Sequence, residues 1–293
     1  MLRFSLCELL PDLPPIEILD IGALEMAGQE PPYLELAASG RARVTGFEPN
    51  LPGCVALNQR YGRPHRFFPQ FVGKGGPAKF YQTNAAYTGS LYPPNEPLLG
   101  AFNDLLEVTV LQQVHDVTTV RLDDVAEIAD VDYLKLDVQG GELDVFKGGE
   151  RALASAVMIQ TEVCFVELYR GQPLFADIDS HLRSRGFWFH TFLGFGARSL
   201  KPGRVGEPGN PTAGVDRGVN QKLWGEALYI KDPLQPAALS VVKLQKFAVL
   251  LHDLYKSYDV AYVCLSAADA RAGTQLAQRY GARLTGEAAL TTG

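Results

Sequence analysis

Apolar residues along the chain fall into short blocks that switch between two periods. Brief runs of consecutive or alternating apolar positions predict strands, and blocks with apolar residues three and four apart predict helices. The first strand reads from 16 to 22 (IEILDIG) and ends in Asp20 and Gly22; a helix over 31–40 follows, with proline at its start and Gly40 at its end. Residues 43–50 (RVTGFEPN) predict the second strand, 52–62 a helix and 66–73 (RFFPQFVG) the third strand. A glycine turn then leads into an extra β element at 78–84, a loop dense in Thr, Ser, Tyr and Pro spans 85–97, and 107–122 alternates as one longer strand.

In the second half, Tyr133, Leu134, Leu136 and Val138 make a compact apolar run, after which Leu143, Val145, Phe146 and Leu153 recur on one helical face. A strand at 157–166, an amphipathic helix at 175–186, an aromatic strand at 187–195 and a last strand at 223–230 complete the series. The intervening stretch, 196–222, is rich in glycine and proline and too poor in apolar residues to pack, so a mobile lid or a binding loop is expected there. Strands alternating with helices predict an α/β fold: a mainly parallel sheet with helices on both faces. From Asp232 onward the pattern is helical and rich in Ala and Leu. The expected organisation is therefore one domain over 1–231 and a C-terminal helical appendage over 232–293, packed on it.

Length and a hydrophobic content of 46% support a core of that size. The formal net charge is -6 and no dense Lys/Arg block appears, which disfavours a nucleic-acid partner. No apolar run approaches the roughly 20 residues needed to span a bilayer, so no membrane partner is expected. The amino-terminal stretch is too short in apolar residues for a secretory signal and carries acids and prolines early. Cys7, Cys54, Cys164 and Cys264 are far apart and the five histidines are scattered, so reduced thiols, a cytoplasmic location and no metal site are the expectations. His115 and His190 sit in strand patterns where a structural role is the default.

Ligands of open α/β sheets bind outside the carboxyl ends of the strands. Asp20 and Gly22 end the first strand, and Glu48 ends the second, 26 residues after Gly22, where an acid can accept hydrogen bonds from both ribose hydroxyls. That combination points to an adenosine site. The turn lacks a full GxGxxG, and Glu25 in Gly22-Ala23-Leu24-Glu25 would repel a pyrophosphate. S-adenosylmethionine, which carries adenosine, an ammonium and a sulfonium but no phosphate, fits better. Asp137 and Glu142 in VDYLKLDVQGGELDVFKGG would reach the same edge, although a turn starter and a helix-opening acid are the plainer alternatives. The EPPYLE stretch at 30–35 is similar to a motif of DNA-base amino-methyltransferases, but it follows the first strand where that motif follows the fourth.

ILDIGA, VTGFEPN, TGSLYPPN, VRLDDV, YLKLDVQGGELDVFKGG and IQTEVCFVELYRGQPLF occur in an order and spacing that resemble FkbM-type S-adenosylmethionine-dependent methyltransferases, from about Ile16 to about Phe195. The chain departs from them in the first loop, where they usually read Gly-Ala-Asn-x-Gly and it reads Gly22-Ala23-Leu24-Glu25-Met26. The resemblance implies a class I methyltransferase (Rossmann-like) fold and methyl transfer to a hydroxyl of a sugar, glycan or polyketide-like acceptor. It places Asp137 beside the methionyl part of the cofactor, near the methyl group. Asp20, Gly22, Ala23, Glu48, Pro49 and Asn50 complete the expected cofactor set. Glu162 ends the strand next to the one bearing Asp137, and two close carboxylates raise at least one pKa towards that of a general base. Asp137, Glu162 and His190 are thus the catalytic candidates, with Ser90 and Glu142 expected to contact the substrate. Two other readings stay open: a nicotinamide-dependent oxidoreductase, and a non-catalytic S-adenosylmethionine-binding module, which the altered Leu24-Glu25-Met26 loop favours.

Overall fold

The computed structural model describes residues 4–286 except 26, 27, 29, 129 and 204–218. Six strands predicted from apolar runs, together with the short end of the third, build one seven-stranded sheet. These are β1 (Ile16–Ile21), β2 (Ala42–Phe47), β3 (Arg66–Phe68), β7 (Tyr133–Leu136), β8 (Met158–Cys164), β9 (Phe187–Ala197) and β10 (Lys222–Lys231). Their order is β3-β2-β1-β7-β8-β10-β9, parallel except for β10, which runs antiparallel to both neighbours. The chain winds outward from β1 to β3 and then resumes on the other side with β7. This is the class I methyltransferase arrangement, and the β1/β7 boundary is the switch point where such sheets open a crevice.

The predicted third strand is interrupted. Pro69 ends pairing with β2, and the chain re-forms as β4 (Phe71–Val72) in a second sheet of order β4-β6-β5, with β5 at Gly76–Thr83 and β6 at Leu111–Val120. The long strand expected over 107–122 starts later, because 106–108 form a 3₁₀ turn. The loop expected over 85–97 contains a 3₁₀ turn at 86–88 and ends in α3 (Glu96–Ala101). At the far end, 196–197 extend β9 and 222 opens β10, while Leu200 bridges to Phe102. The middle of the expected lid or binding loop, 204–218, lies outside the described residues.

Helices cover both faces. α4 (Glu142–Gly148) and α5 (Phe175–Ser184) bury Val145, Phe146, Ile178 and Leu182 against Leu19, Leu134 and Ile159. The aromatic strand adds Phe189 and Phe192, which pack on Phe165 and Phe175. On the opposite face, α1 (Leu34–Ala38) and α2 (Leu51–Tyr61) cover one half. The C-terminal helices α6 (Val241–Val249), α7 (Tyr258–Ala272) and α8 (Leu276–Thr285), joined by a π turn at 250–254, cover the other. Ile16, Ile18, Tyr133, Met158 and Leu228 share one core with Leu244, Phe247 and Leu265, so the region past 231 forms part of a main layer. All four cysteines are buried and free. No described helix is long and apolar enough to cross a membrane.

Asp132, fully buried, ties this layer to the sheet. Its carboxylate accepts the Glu17 N–H at 2.7 Å, the Lys246 ammonium at 2.7 Å and the Lys243 ammonium. Asp132→Ala leaves the buried Lys246 ammonium without its carboxylate, while Lys243 keeps Asp130 at 2.8 Å, and is expected to cost about 3–5 kcal/mol. Urea unfolding of the variant measures it.

Candidate active site

A cavity of about 990 Å³ opens at the carboxyl ends of β1, β2 and β7 and continues across the β4-β6-β5 sheet. That lies near the top of the roughly 300–1,000 Å³ range of small-molecule sites. Among the described residues its lining carries seven carboxylates and a single lysine, Lys135.

The floor is a row of strand residues. Pairing sets Asp20 of β1, Lys135 of β7 and Gln160 of β8 in register, on the face that carries the C-terminal helices. One oxygen of the buried Asp20 carboxylate accepts the Tyr33 hydroxyl and the other the Lys135 ammonium, at 3.3 Å. The Tyr133 and Tyr255 hydroxyls, 2.6 Å apart, converge on Gln160 Oε1, and Gln160 Nε2 donates to Glu226 at 3.0 Å. One step nearer the rim, Glu162 pairs across the sheet with Glu226, and their carboxylates lie within 4.8 Å of each other and of Asp137. Burial, then the Asp137 charge, raises the pKa of both glutamates, Glu162 well above the usual carboxylate range. Burial works against the Lys135 charge, but Asp20, Asp137 and Glu226 outweigh it and the ammonium pKa rises.

At the rim, Gly22 has φ 77°, and a Cβ there would fall 1.8 Å from the Asp137 carbonyl oxygen. Glycine is required by the close approach of the backbone that follows β7. Ala23 follows, its N–H on the Phe47 carbonyl. Glu25 receives the Arg60 guanidinium and, at 2.8 Å, the Tyr61 hydroxyl. Its charge is paired, so its repulsion of a phosphate is weaker than the sequence indicates. Glu48 is buried on the cavity wall. One of its oxygens accepts the Asn50 N–H at 2.7 Å, and burial raises its pKa. The Asn50 side chain caps α2 by accepting the Gly53 N–H at 2.9 Å, with Pro49 beside it on the wall.

The turn after β7 is held by side chains. Gln139 is left-handed at φ 57°, and its Nε2 donates to Asp137 Oδ1 at 2.7 Å. Glu142 accepts the Val138 and Gly140 N–H groups at 3.1 and 3.2 Å, so it braces the turn from behind. Ser90 lines the cavity, but its hydroxyl donates to the Gln139 carbonyl at 2.6 Å, and the Tyr169 hydroxyl lies 3.0 Å from both Thr88 O and Gln139 Oε1. His190 stands apart. It is the fourth residue of β9, off the cavity lining, with Nε2 2.7 Å from Ser257 Oγ at the start of α7, and burial lowers its pKa.

The structure thus brings together Asp20, Gly22, Ala23, Glu48, Pro49, Asn50, Ser90, Asp137, Glu142 and Glu162, and separates His190. Tyr33, Lys135, Gln160, Glu226 and Tyr255 are additions. The signal for two of them lies in the strands: Lys135 and Asp137, and Gln160 and Glu162, are polar residues two apart and therefore share a face.

The family model of the Methyltransferase FkbM domain matches residues 20–189, more than half of the chain. The chain belongs to the FkbM methyltransferase family. The matched segment is by description a methyltransferase domain. Over 67 residues it is 45% identical to 2-O-methyltransferase NoeI of Sinorhizobium fredii (strain NBRC 101917 / NGR234), a match covering 22% of this chain and 28% of that protein. Among solved structures, magnesium protoporphyrin IX methyltransferase (ChlM) from Synechocystis PCC 6803, with bound S-adenosylmethionine, is similar at 15% identity and TM-score 0.37, over 78% of this chain and 76% of that one. Streptococcus pneumoniae Sp1610, in complex with S-adenosyl-L-methionine, is similar at 13% identity and TM-score 0.32, over 92% and 99%.

Burial pushes the Glu142 carboxyl up to about 7, against the two N–H groups that favour its ionised form. A folded pKa above the unfolded one gives stability that is full below about 4.5 and is lost as pH rises through about 7. Glu142→Gln keeps the accepting oxygen and removes the titration. The native protein should therefore lose stability relative to this variant as pH rises from 4.5 to 7, as urea melts across that interval report.

Proposed function

We propose that this chain transfers the methyl group of S-adenosylmethionine to a hydroxyl of a sugar, glycan or polyketide-like acceptor. The observation that carries the reading is the group of Asp137 and Glu226, which line the cavity, with Glu162 within 4.8 Å of both. A hydroxyl is a poor nucleophile and needs a base, and crowded, buried carboxylates supply one of raised pKa. The name of the Sinorhizobium relative, a 2-O-methyltransferase, supports an oxygen acceptor.

The residues present fit the cofactor. Glu48 is a nearly buried carboxylate on the cavity wall with one oxygen already oriented by Asn50, suited to a ribose diol. Asp20, Gly22, Ala23, Pro49 and Asn50 line the same wall. Asp20 acts there through the groups that hold it, Tyr33 and Lys135. When bound, the cofactor supplies an electrophilic methyl whose departure discharges the sulfonium. Asp137, steadied by Gln139, orients the reactants at the end of β7. Glu162 takes the hydroxyl proton as the oxygen–carbon bond forms, its pKa held high by burial and by the Asp137 and Glu226 charges. Excluding water from this edge strengthens each of these interactions.

Glu48→Ala should weaken S-adenosylhomocysteine binding by about 1.5–3 kcal/mol in titration calorimetry. Glu162→Gln should lower kcat by roughly 10²- to 10⁴-fold at unchanged cofactor affinity. Glu226→Gln removes a like charge from beside Glu162, lowers its pKa and should move the acidic limb of the rate profile to lower pH. A transfer screen over hydroxyl and amine acceptors, with the methylated atom located by mass spectrometry, tests the reaction class. Methylation confined to nitrogen would overturn it.

A further inference from the structure

The cavity extends well beyond the rim residues just described. Its outer part is walled by the β4-β6-β5 sheet, where Phe80 and Gln82 of β5 and His115 and Val117 of β6 line it. Phe80 pairs directly with His115, and a Phe residue from β4, Phe71, packs on the Phe80 ring at a centroid distance of 4.9 Å. The Gln82 carboxamide and the His115 imidazole meet at 2.7 Å. Gly89 crosses Phe80 so closely that a Cβ would lie 2.6 Å from the ring, which explains the absence of a side chain there. This wall therefore presents a half-buried aromatic ring flanked by a hydrogen-bonded amide and imidazole.

Charge divides the cavity. Six of its seven carboxylates and Lys135 belong to the cofactor and reacting end. The seventh, Asp116, is exposed and ion-paired with Lys79 at 3.0 Å. Among the described lining residues, the outer wall offers no lysine or arginine to a phosphate or carboxylate. A neutral ring compound with one apolar face and several hydroxyls matches it. The C–H face of a pyranose packs on an aromatic ring, and its hydroxyls exchange hydrogen bonds with an amide and an imidazole, each of which keeps further donor or acceptor atoms after bonding the other.

Resting on the hydroxyl-methylation reading, we infer that the Phe80–Gln82–His115 wall is the acceptor platform and that it takes a neutral, unphosphorylated sugar residue. Two links fix this platform relative to the reacting edge. Ser90, which bridges to Tyr81 of β5, donates to the Gln139 carbonyl, and Tyr169 reaches both Thr88 and Gln139. A sugar lying on Phe80 is thereby presented to the turn that bears Asp137.

The test uses the full chain loaded with S-adenosylhomocysteine and a set of neutral methyl glycosides alongside their 6-phosphates. Binding is read by saturation-transfer NMR, and methyl transfer is read separately with S-adenosylmethionine. Phe80→Ala, Gln82→Ala and His115→Ala are compared; Gln82 is exposed and its change leaves the ring packing in place, whereas His115→Ala also removes an imidazole stacked on Phe80 at 6.4 Å. The expected result is binding of neutral glycosides in preference to phosphates. Each variant should raise the glycoside Kd and KM by about tenfold, while kcat changes by less than about threefold and S-adenosylhomocysteine affinity is unchanged. Binding without transfer to any glycoside would leave the platform standing and refute the methylation reading. Transfer with unaltered KM in all three variants, tighter binding of the phosphates, or no glycoside binding at all would overturn the platform.

Discussion

A single ammonium group holds the acidic end of the cavity together. Lys135 Nζ stands in the middle of a strand row with Asp20 on one side and Gln160 on the other, and the charges of Asp137 and Glu226 act on it as well. Carboxylates crowded at low dielectric repel one another strongly, and the lysine offsets part of that repulsion. It sits on β7 two residues before Asp137, which directly follows the strand, so the alternation of the extended chain keeps cation and anion on one face. Glu162 and Glu226 lie a further strand or two away and are less compensated. The result is a gradient: a well-neutralised floor, and beyond it Glu162 and Glu226, which burial and the Asp137 charge make hold protons more tightly.

The C-terminal helical layer takes part in this arrangement. Tyr255, just after the π turn, places its hydroxyl 2.7 Å from Gln160, which in turn donates to Glu226. Asp132 and the lysines of α6 lock the same layer to the amino-terminal end of β7. The start of the central strand is therefore fixed by residues more than a hundred positions downstream, at Asp132 and at Tyr133, whose hydroxyl lies 2.6 Å from that of Tyr255. The helices' large shared core with β1, β7 and β8 keeps those two anchors in place.

Much of the sheet is legible from local pattern, because strands buried on both faces read as apolar runs whatever their partners. The ends of β1, β2 and β7 could be located from Asp20, Glu48 and Asp137 for the same reason. Pairing is harder to read. RFFPQFVG is continuous in hydrophobicity, yet Pro69 divides it between two sheets, and only non-local hydrogen bonding shows which half belongs where. His190 illustrates the same limit: in sequence it is one of several polar residues near strand ends, but register puts it early in β9, at the level of Leu228 and Tyr229, facing α7. Glu226 was hidden for the converse reason. LWGEALYI reads as a plain strand, and its acid matters only because antiparallel pairing sets it opposite Glu162.

The small sheet leaves and rejoins the fold at one place. Phe71 and Val72 pair with Thr119 and Val120, and the Gly73 N–H bonds the Val120 carbonyl, so the whole segment from 71 to 120 begins and ends side by side. Such a closed excursion contributes a wall to the cavity without interrupting the order of the main strands. Its length and sequence can drift at little cost to the parent sheet, since closure entropy grows only slowly with loop size. Changes of that kind offer a route by which one methyl-transfer scaffold acquires new acceptors by exchanging a single cassette, the chemistry underneath staying where it is.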